Sequence, residues 1–120
     1  MGIVLALVDD IFFQARISAM AKQVGVELKM FSAADALVAA ATAIGNAGAD
    51  LIVIDLNARA DAIGALNQLR GAGNQTPVIA FLSHVQTELA ERARAAGCTE
   101  VMPRSKFTQD LAAILGRAKK

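Results

Sequence analysis

Acidic side chains directly follow two apolar segments of this 120-residue chain. Asp9 and Asp10 come after the run IVLALV (residues 3–8), and Asp55 comes after LIVI (51–54). Burial of an isolated carboxylate is costly, so such a group finds a partner or shifts its pKa. If the two runs are neighbouring strands, their ends bring three carboxylates together. The sequence then predicts a site that attracts a cation or reacts through a carboxylate.

Clustered carboxylates favour a small set of chemistries. Two unit charges about 4 Å apart repel by about 4 kcal/mol at an effective dielectric constant of about 20. A cation, a neighbouring Lys or Arg, or a raised pKa must offset this repulsion. Oxygen ligands with room for water suit Mg²⁺, and a carboxylate can be the nucleophile that accepts a phosphoryl group. An Asp between a strand and a helix can also be only an N-cap, and for Asp10 both interpretations stay open.

The elements that must position these residues alternate between strand and helix patterns five times. Strands are predicted at 3–8, 26–31, 51–54, 78–82 and 99–102. Helices are predicted from after Asp10 to Val24, from a capping box at Ser32–Asp35 to about Ile44, at about 60–70 and 85–96, and from about Phe107. Such alternation predicts a parallel sheet with helices on both faces.

The apolar content of the strands predicts their order in the sheet. Strands 1, 3 and 4 are apolar throughout, as central strands are, whereas strand 2 alternates and strand 5 is short. The fold class is therefore α/β, doubly wound, with the flavodoxin-like order 2-1-3-4-5. Ligands of such folds bind at the carboxyl ends of the strands where the order reverses, here between strands 1 and 3. All three carboxylates are expected in that crevice.

The composition of the chain argues against several classes of function. The 12 basic and 11 acidic side chains give a net charge of +1, which argues against a nucleic-acid or membrane-surface binder. No apolar run approaches the roughly 18–20 residues of a membrane span, and we expect no signal peptide. The single cysteine, Cys98, excludes an internal disulfide and a cysteine-based zinc cluster. We expect one cytoplasmic domain over residues 1–120.

Four segments, in this order and spacing, resemble the receiver domain of two-component response regulators. They are LVDD (7–10), DLIVIDLN (50–57), TPVIAFLS (76–83) and AAGCTEVMPRSKF (95–107). The resemblance covers essentially the whole chain. It implies a CheY-like (βα)5 fold and a phosphorelay signalling domain rather than an enzyme acting on external substrates.

The resemblance also assigns roles to single residues. It implies that Asp55 accepts a phosphoryl group from a sensor histidine kinase, a phosphotransfer protein or a small phosphodonor. It implies that Mg²⁺ is held by the side chains of Asp10 and Asp55, by the backbone carbonyl of Asn57, and by Asp9 through water. A downstream protein would then bind the face formed by helix 4, strand 5 and helix 5, with no nucleic acid or membrane as a direct partner.

One departure from the family lies at the end of strand 4. Receivers carry Thr or Ser there, but the equivalent position is Leu82, and Ser83 follows one residue later. A one-residue slip reverses the direction of a side chain within a strand. Residues 83–86, Ser-His-Val-Gln, also match a capping box, so Ser83 could cap helix 4, contact the phosphoryl group, or both. His84, the only histidine, is interpreted as a loop residue.

A second departure surrounds strand 5. Arg104 stands where receivers carry Lys, and Pro103 precedes it, whereas the family has a proline after the Lys. Arg104 is predicted to be the charge partner of Asp55 and a phosphoryl contact, with Lys106 as the alternative and a solvated loop cation as the plain interpretation. Val101 occupies the position of the family's aromatic switch residue.

Three hypotheses follow. The first is a receiver phosphorylated on Asp55 in an Mg²⁺-dependent step, which signals by changed partner binding. The second is a pseudo-receiver, a protein-interaction module that works without phosphorylation. The third, a flavodoxin-like enzyme or cofactor binder, is disfavoured because residues 9–12, Asp-Asp-Ile-Phe, replace the Gly-rich phosphate loop expected after strand 1.

Overall fold

Strands and helices alternate along residues 2–44, 49–83 and 86–119, which are described by this computed structural model. The strands are β1 (Ile3–Leu7), β2 (Glu27–Phe31), β3 (Leu51–Asp55), β4 (Val78–Leu82) and β5 (Glu100–Pro103). The helices are α1 (Ile11–Val24), α2 (Ala34–Ile44), α3 (Ala62–Gly71), α4 (Thr87–Ala95), α5 (Arg104–Gln109) and α6 (Leu111–Gly116). All neighbouring strands pair in parallel, in the order β2-β1-β3-β4-β5. The predicted fold class and strand order are confirmed.

Two apolar layers cover the sheet, one on each face. Alternate strand residues such as Val53 and Phe81 pack against α1, α5 and α6. Their neighbours Ile54 and Leu82 face the other way and pack against α2, α3 and α4. Every residue of β3 and β4 is buried, whereas β2 and β5 are partly exposed. The centre and the edges of the sheet therefore lie where the strand patterns predict them.

Both predicted capping boxes are wrong about where their helices begin. Helix α2 begins at Ala34, so Ser32 lies too far upstream to be its N-cap. Helix α4 begins at Thr87 and its N-cap is Gln86, so Ser83 does not cap it. The pattern fails here because the Gln86 side chain, which would complete the box, is bonded to another loop. His84 lies outside the described residues.

The last predicted helix begins earlier than expected and is divided. Helix α5 starts at Arg104, and Asp110, with φ −100° and ψ 12°, separates it from α6. Pro103, in an extended conformation (φ −62°, ψ 150°), ends β5. Because a residue that precedes proline avoids helical angles, the absence of proline after Arg104 leaves that residue free to begin the helix.

Arg70 ties together loops at the other end of the sheet, away from the predicted crevice. Its guanidinium donates to the carbonyls of Gly97 (3.1 Å from Nε and 2.8 Å from Nη2), Asn74 (2.9 Å) and Thr76 (2.9 Å). Gly97 has φ 108°, a left-handed conformation that suits glycine. At this end of the sheet, one side chain therefore supplies the hydrogen-bond donors for three backbone carbonyls.

Within the ranges that the structure describes, no helix is both long and apolar enough to span a membrane.

Candidate functional site

The sheet register brings the predicted acidic residues to one edge. Leu7 of β1 pairs with Ile54 of β3, so the residues that follow both strands emerge side by side. Asp55, the last residue of β3, pairs with Phe81 of β4. Because β1 and β3 are adjacent although the chain leaves β1 for β2, this edge is the reversal point of the strand order.

Asp55 is the buried acid of this crevice and is only 2% exposed. Its Oδ1 accepts the backbone N–H of Asn57 at 2.9 Å, and its Oδ2 lies 3.2 Å from Nη2 of Arg104. Burial raises the pKa of Asp55, and the charges of Asp9 and Asp10 raise it further; the Asn57 N–H and Arg104 oppose this only in part. The protein therefore places a carboxylate where its negative charge is incompletely stabilised.

Asp10 serves two neighbours at once. Its Oδ1 accepts the N–H groups of Phe12 (2.9 Å) and Phe13 (3.1 Å) and so caps α1. Its Oδ2 lies 3.7 Å from Nη1 of Arg104. The two interpretations that the sequence left open are therefore compatible, because each uses a different oxygen of the same carboxylate.

Asp9 is turned toward the loop after β3. Its Oδ2 accepts the N–H of Arg59 at 2.8 Å. Across the described part of the chain, no three His, Cys, Asp or Glu side chains are grouped so as to hold a metal ion. A cation in this crevice would therefore depend on Asp10 and Asp55, supplemented by carbonyl and water oxygens.

Arg104 lies between the two carboxylates and two aromatic rings. Its Cζ is 4.8 Å from the ring centre of Phe13 and 5.5 Å from that of Phe81. A planar guanidinium can stack on rings and pair with carboxylates at the same time, which a Lys ammonium cannot do in this way. Lys106, the alternative partner, instead pairs with Asp110 at 2.7 Å.

The aromatic support for Arg104 is a feature that sequence reasoning missed. The rings of Phe81 and Phe107 stack with centres 4.4 Å apart, and Phe13 meets Phe81 edge-on at 5.1 Å. The available clue was the predicted adjacency of β3 and β4, which places an aromatic residue beside Asp55. The rings form one wall behind the guanidinium.

The side chain of Asn57 also has contacts that the sequence did not reveal. Its Oδ1 accepts the backbone N–H of Ser83 at 2.6 Å, and its Nδ2 donates to Oε1 of Gln86 at 2.8 Å. The loop after β3 is therefore bonded to the loop after β4. Ser83 itself is exposed.

An apolar side chain, Leu82, occupies the end of β4, where the resemblance led us to expect a hydroxyl residue. Leu82 is buried and packs, with Val101, on the α2–α4 side of the sheet. Both residues line a cavity of about 190 Å³ between α4 and β5, together with Ala90 and Met102. Phe81 faces the opposite side, so the sheet places no hydroxyl at either position of this pair.

Comparison with known proteins gives similarity at the level of structure. No protein-family model matches the chain, and no curated protein matches it. Many solved structures are similar over nearly the whole chain, and three of them are representative. A receiver domain protein of Clostridium thermocellum has a TM-score of 0.83 and 18% identity, covering 98% of this chain and 94% of that one. The chemotaxis response regulator CheY4 of Vibrio cholerae has a TM-score of 0.82 and 21% identity, covering 98% of each chain.

The third structure is described with a metal ion. It is the receiver domain of the sensor histidine kinase PA1611 of Pseudomonas aeruginosa PAO1, with magnesium coordinated in the active site cleft. It has a TM-score of 0.81 and 22% identity, and the match covers 98% of this chain and 96% of that one. Together with the strand order, these similarities show that the chain has the fold of the response regulator receiver domain.

Proposed function

We propose that residues 1–120 form a receiver domain that accepts a phosphoryl group on Asp55 and signals by a change in partner binding. The observation that carries this proposal is the environment of Asp55, which ends the central strand β3, is 2% exposed and has Arg104 on one oxygen and the Asn57 N–H on the other. The fold supports it, because the crevice lies at the reversal of the strand order. The protein acts in this proposal as a cytoplasmic signalling domain, not as an enzyme.

The proposed step is a transfer between an activated donor and the Asp55 carboxylate. A carboxylate oxygen forms a bond to phosphorus while the bond from phosphorus to the donor's nitrogen or oxygen breaks, and the donor leaves with that electron pair. The transferred group adds negative charge to the crevice. Arg104, with a permanent positive charge and several donors, is suited to hold phosphoryl oxygens. A contact from Ser83 remains a prediction.

The residues present suit Mg²⁺ as the cation of this step. Oδ2 of Asp10, Oδ2 of Asp55 and the backbone carbonyl of Asn57 would supply an all-oxygen donor set with two carboxylates, which suits Mg²⁺ and its remaining waters. Asp9 would contribute through water. The raised pKa of buried Asp55 fits a carboxylate that lacks full charge compensation. When bound, the ion would supply positive charge to the oxygens of the transferred group.

Exposed apolar side chains beside the crevice support a protein as the phosphodonor. Ile11 and Phe12, directly after Asp10, are 69% and 83% exposed. Large apolar residues exposed together often mark an interaction surface. A sensor histidine kinase or phosphotransfer protein that covers this surface would bring its phosphoryl group to Asp55, and a downstream protein would use the face of α4, β5 and α5.

The test is phosphorylation from a small donor. The protein is incubated with acetyl phosphate and Mg²⁺, and the intact mass is measured. We expect one phosphoryl adduct in the wild type. It should not form when a chelator removes Mg²⁺, and it should not form in Asp55→Asn. Asp61→Asn, which changes an Asp that caps α3 outside the crevice, should leave the adduct in place. An adduct that survives Asp55→Asn would contradict the assignment.

The buried Leu82 and the partly buried Val101 favour the pseudo-receiver as the second candidate. They remove the hydroxyl and the aromatic ring through which receivers usually couple phosphorylation to their output face. The two candidates differ in one measurement, the amide exchange of α4 and β5. If acetyl phosphate and Mg²⁺ leave that exchange unchanged, the pseudo-receiver is the better description.

A further inference from the structure

Three hydrogen bonds connect Asp55 to the beginning of α4. The Asn57 N–H donates to Oδ1 of Asp55 at 2.9 Å. The Asn57 side chain then accepts the Ser83 N–H at 2.6 Å and donates to Oε1 of Gln86 at 2.8 Å. One residue, two positions after the proposed phosphoacceptor, therefore bonds both to that acceptor and to the loop before α4.

Gln86 passes this contact on to the helix. It is the N-cap of α4, and its backbone carbonyl accepts the Ala90 N–H at 2.9 Å, the first hydrogen bond of that helix. Its own side chain makes no capping bond to α4, because it is bonded to Asn57. Gln86 also lines the cavity between α4 and β5 with Leu82 and Val101. The position of the first turn of α4 is thus tied to the Asn57 amide.

The hydrogen bond from the Asn57 N–H to Asp55 depends on the charge of the Asp55 side chain. A hydrogen bond to an ionised carboxylate is roughly twice as strong as one between neutral groups. Phosphorylation converts the carboxylate into a neutral acyl phosphate carbonyl on the oxygen that keeps its double bond, and moves the negative charge onto the phosphoryl oxygens. The Asn57 N–H then loses its charged acceptor, whichever oxygen of Asp55 is modified.

From these contacts we propose that Asn57 is the positioning residue that links the state of Asp55 to α4, in place of a hydroxyl at Leu82. The inference rests on the proposed function. In the unphosphorylated protein the Asn57 amide holds Gln86 and Ser83 and fixes the first turn of α4. Phosphorylation weakens the bond from the Asn57 backbone N–H to Asp55. The Asn57 side-chain amide then releases Gln86, and the face formed by α4 and β5 changes.

The test measures amide hydrogen exchange at Ala90 by NMR, in the full chain, with and without acetyl phosphate and Mg²⁺. In the wild type we expect phosphorylation to speed exchange at Ala90 by about 2- to 10-fold, the range for the net loss of one hydrogen bond. Asn57→Ala keeps its backbone N–H and carbonyl but loses both side-chain bonds. It should show the faster exchange already without the donor, and no further change with it.

A second variant separates the two arms of the Asn57 amide. Gln86→Ala removes the bond to Nδ2 and leaves the bond to Ser83. Because Asn57→Ala and Gln86→Ala remove the same bond, their effects on Ala90 exchange should be clearly less than additive in the double variant. Glu88→Ala, an exposed change in the first turn of α4, is the matched control and should leave the response to phosphorylation intact.

The outcomes separate this inference from the proposed function, since the phosphoryl adduct is measured by mass in the same samples. An adduct in the wild type without a change at Ala90 would overturn the role of Asn57 alone. So would an Asn57→Ala protein that keeps the wild-type response. If the wild type forms no adduct, the proposed function fails, and the inference fails with it.

Discussion

Nη2 of Arg104 lies 3.2 Å from Oδ2 of Asp55, and Nη1 of the same guanidinium lies 3.7 Å from Oδ2 of Asp10. These are the two carboxylate oxygens left over after Asp10 caps α1 and Asp55 accepts the Asn57 N–H. They are also the oxygens in the proposed Mg²⁺ site. The protein therefore supplies its own cation to the atoms that a metal would need.

We predict that Arg104→Gln strengthens Mg²⁺ binding. Mg²⁺ binds oxygens at about 2.0–2.1 Å and brings two positive charges, so it must displace or repel the guanidinium from Asp10 and Asp55. Removing that charge should lower the dissociation constant about fivefold or more, which is the lower end of the coupling usually seen between two binding events. Calorimetric titration with MgCl₂ measures the change directly, and the rise in melting temperature with Mg²⁺ gives a second readout.

The matched control for this prediction is Lys106→Gln. It removes the same unit of charge two residues away, but Lys106 pairs with Asp110 rather than with the crevice. Its Mg²⁺ affinity should stay close to that of the wild type. Equal affinity in the wild type and Arg104→Gln would contradict competition between the guanidinium and the ion.

The raised pKa of Asp55 predicts the pH dependence of stability. An acid whose folded pKa lies above its unfolded value binds more protons in the folded state between those two values, so the free energy of unfolding falls as the pH rises through that window. Without Mg²⁺, Asp55→Asn should therefore stabilise the domain at pH 7. The gain should disappear as the pH falls through the folded pKa of Asp55.

Urea unfolding in a chelating buffer, at pH 7 and at a pH close to 4, checks this prediction. Both proteins should show two-state transitions with equal slopes, so that the difference in midpoint reports stability. Asp61→Asn removes a carboxylate charge at an exposed helix cap instead. Because Asn caps a helix about as well as Asp, it should change the free energy of unfolding at pH 7 by less than about 0.5 kcal/mol. A destabilised Asp55→Asn at neutral pH would mean that the ion pair with Arg104 outweighs the burial of the carboxylate.

Arg70 predicts a loss of stability that leaves the crevice unaffected. Arg70→Ala removes four charged hydrogen bonds to the carbonyls of Gly97, Asn74 and Thr76. Hydrogen bonds from charged groups contribute about 1.5–3 kcal/mol each at most, and water can replace some of them. We expect a decrease of about 2–3 kcal/mol in the free energy of unfolding, measured by urea titration.

The exposed residue Arg92 provides the control for Arg70. It lies on α4, and Arg92→Ala should change stability by less than about 0.5 kcal/mol. Phosphorylation of Asp55 by acetyl phosphate should persist in the Arg70 variant at a temperature where it is folded. A stability change no larger than that of Arg92→Ala would show that the Arg70 bonds contribute nothing.

The hydrophobic pattern was sufficient to predict the sheet. Strand β3 is apolar at every position before Asp55, and β4 is apolar throughout. The structure buries every residue of both strands. Burial on two faces is a property of each strand by itself, so it can be inferred locally. The reversal point, and with it the place of the crevice, follows from the strand order.

Contacts between distant side chains could not be inferred in the same way. Asn57 and Gln86 are 29 residues apart, and their bond depends on where two loops meet. Arg104 begins α5, which starts earlier than the sequence pattern predicts, and its guanidinium lies against the rings of Phe13 and Phe81. The capping pattern at Ser83 was misleading because the Gln86 side chain is bonded to Asn57 and α4 begins only at Thr87.

The substitution Leu82→Thr tests whether the missing hydroxyl is compatible with the rest of the fold. Leu82 is 4% exposed and packs among apolar side chains of the α2–α4 side. A threonine at this position removes buried apolar volume and places a hydroxyl among apolar side chains that cannot form hydrogen bonds with it. We expect the free energy of unfolding to fall by about 2–4 kcal/mol, with Ser83→Ala, an exposed position, changing it by less than about 0.5 kcal/mol. Urea titration of both variants measures this, and a Leu82→Thr protein as stable as the wild type would show that packing does not exclude the family's hydroxyl from this position.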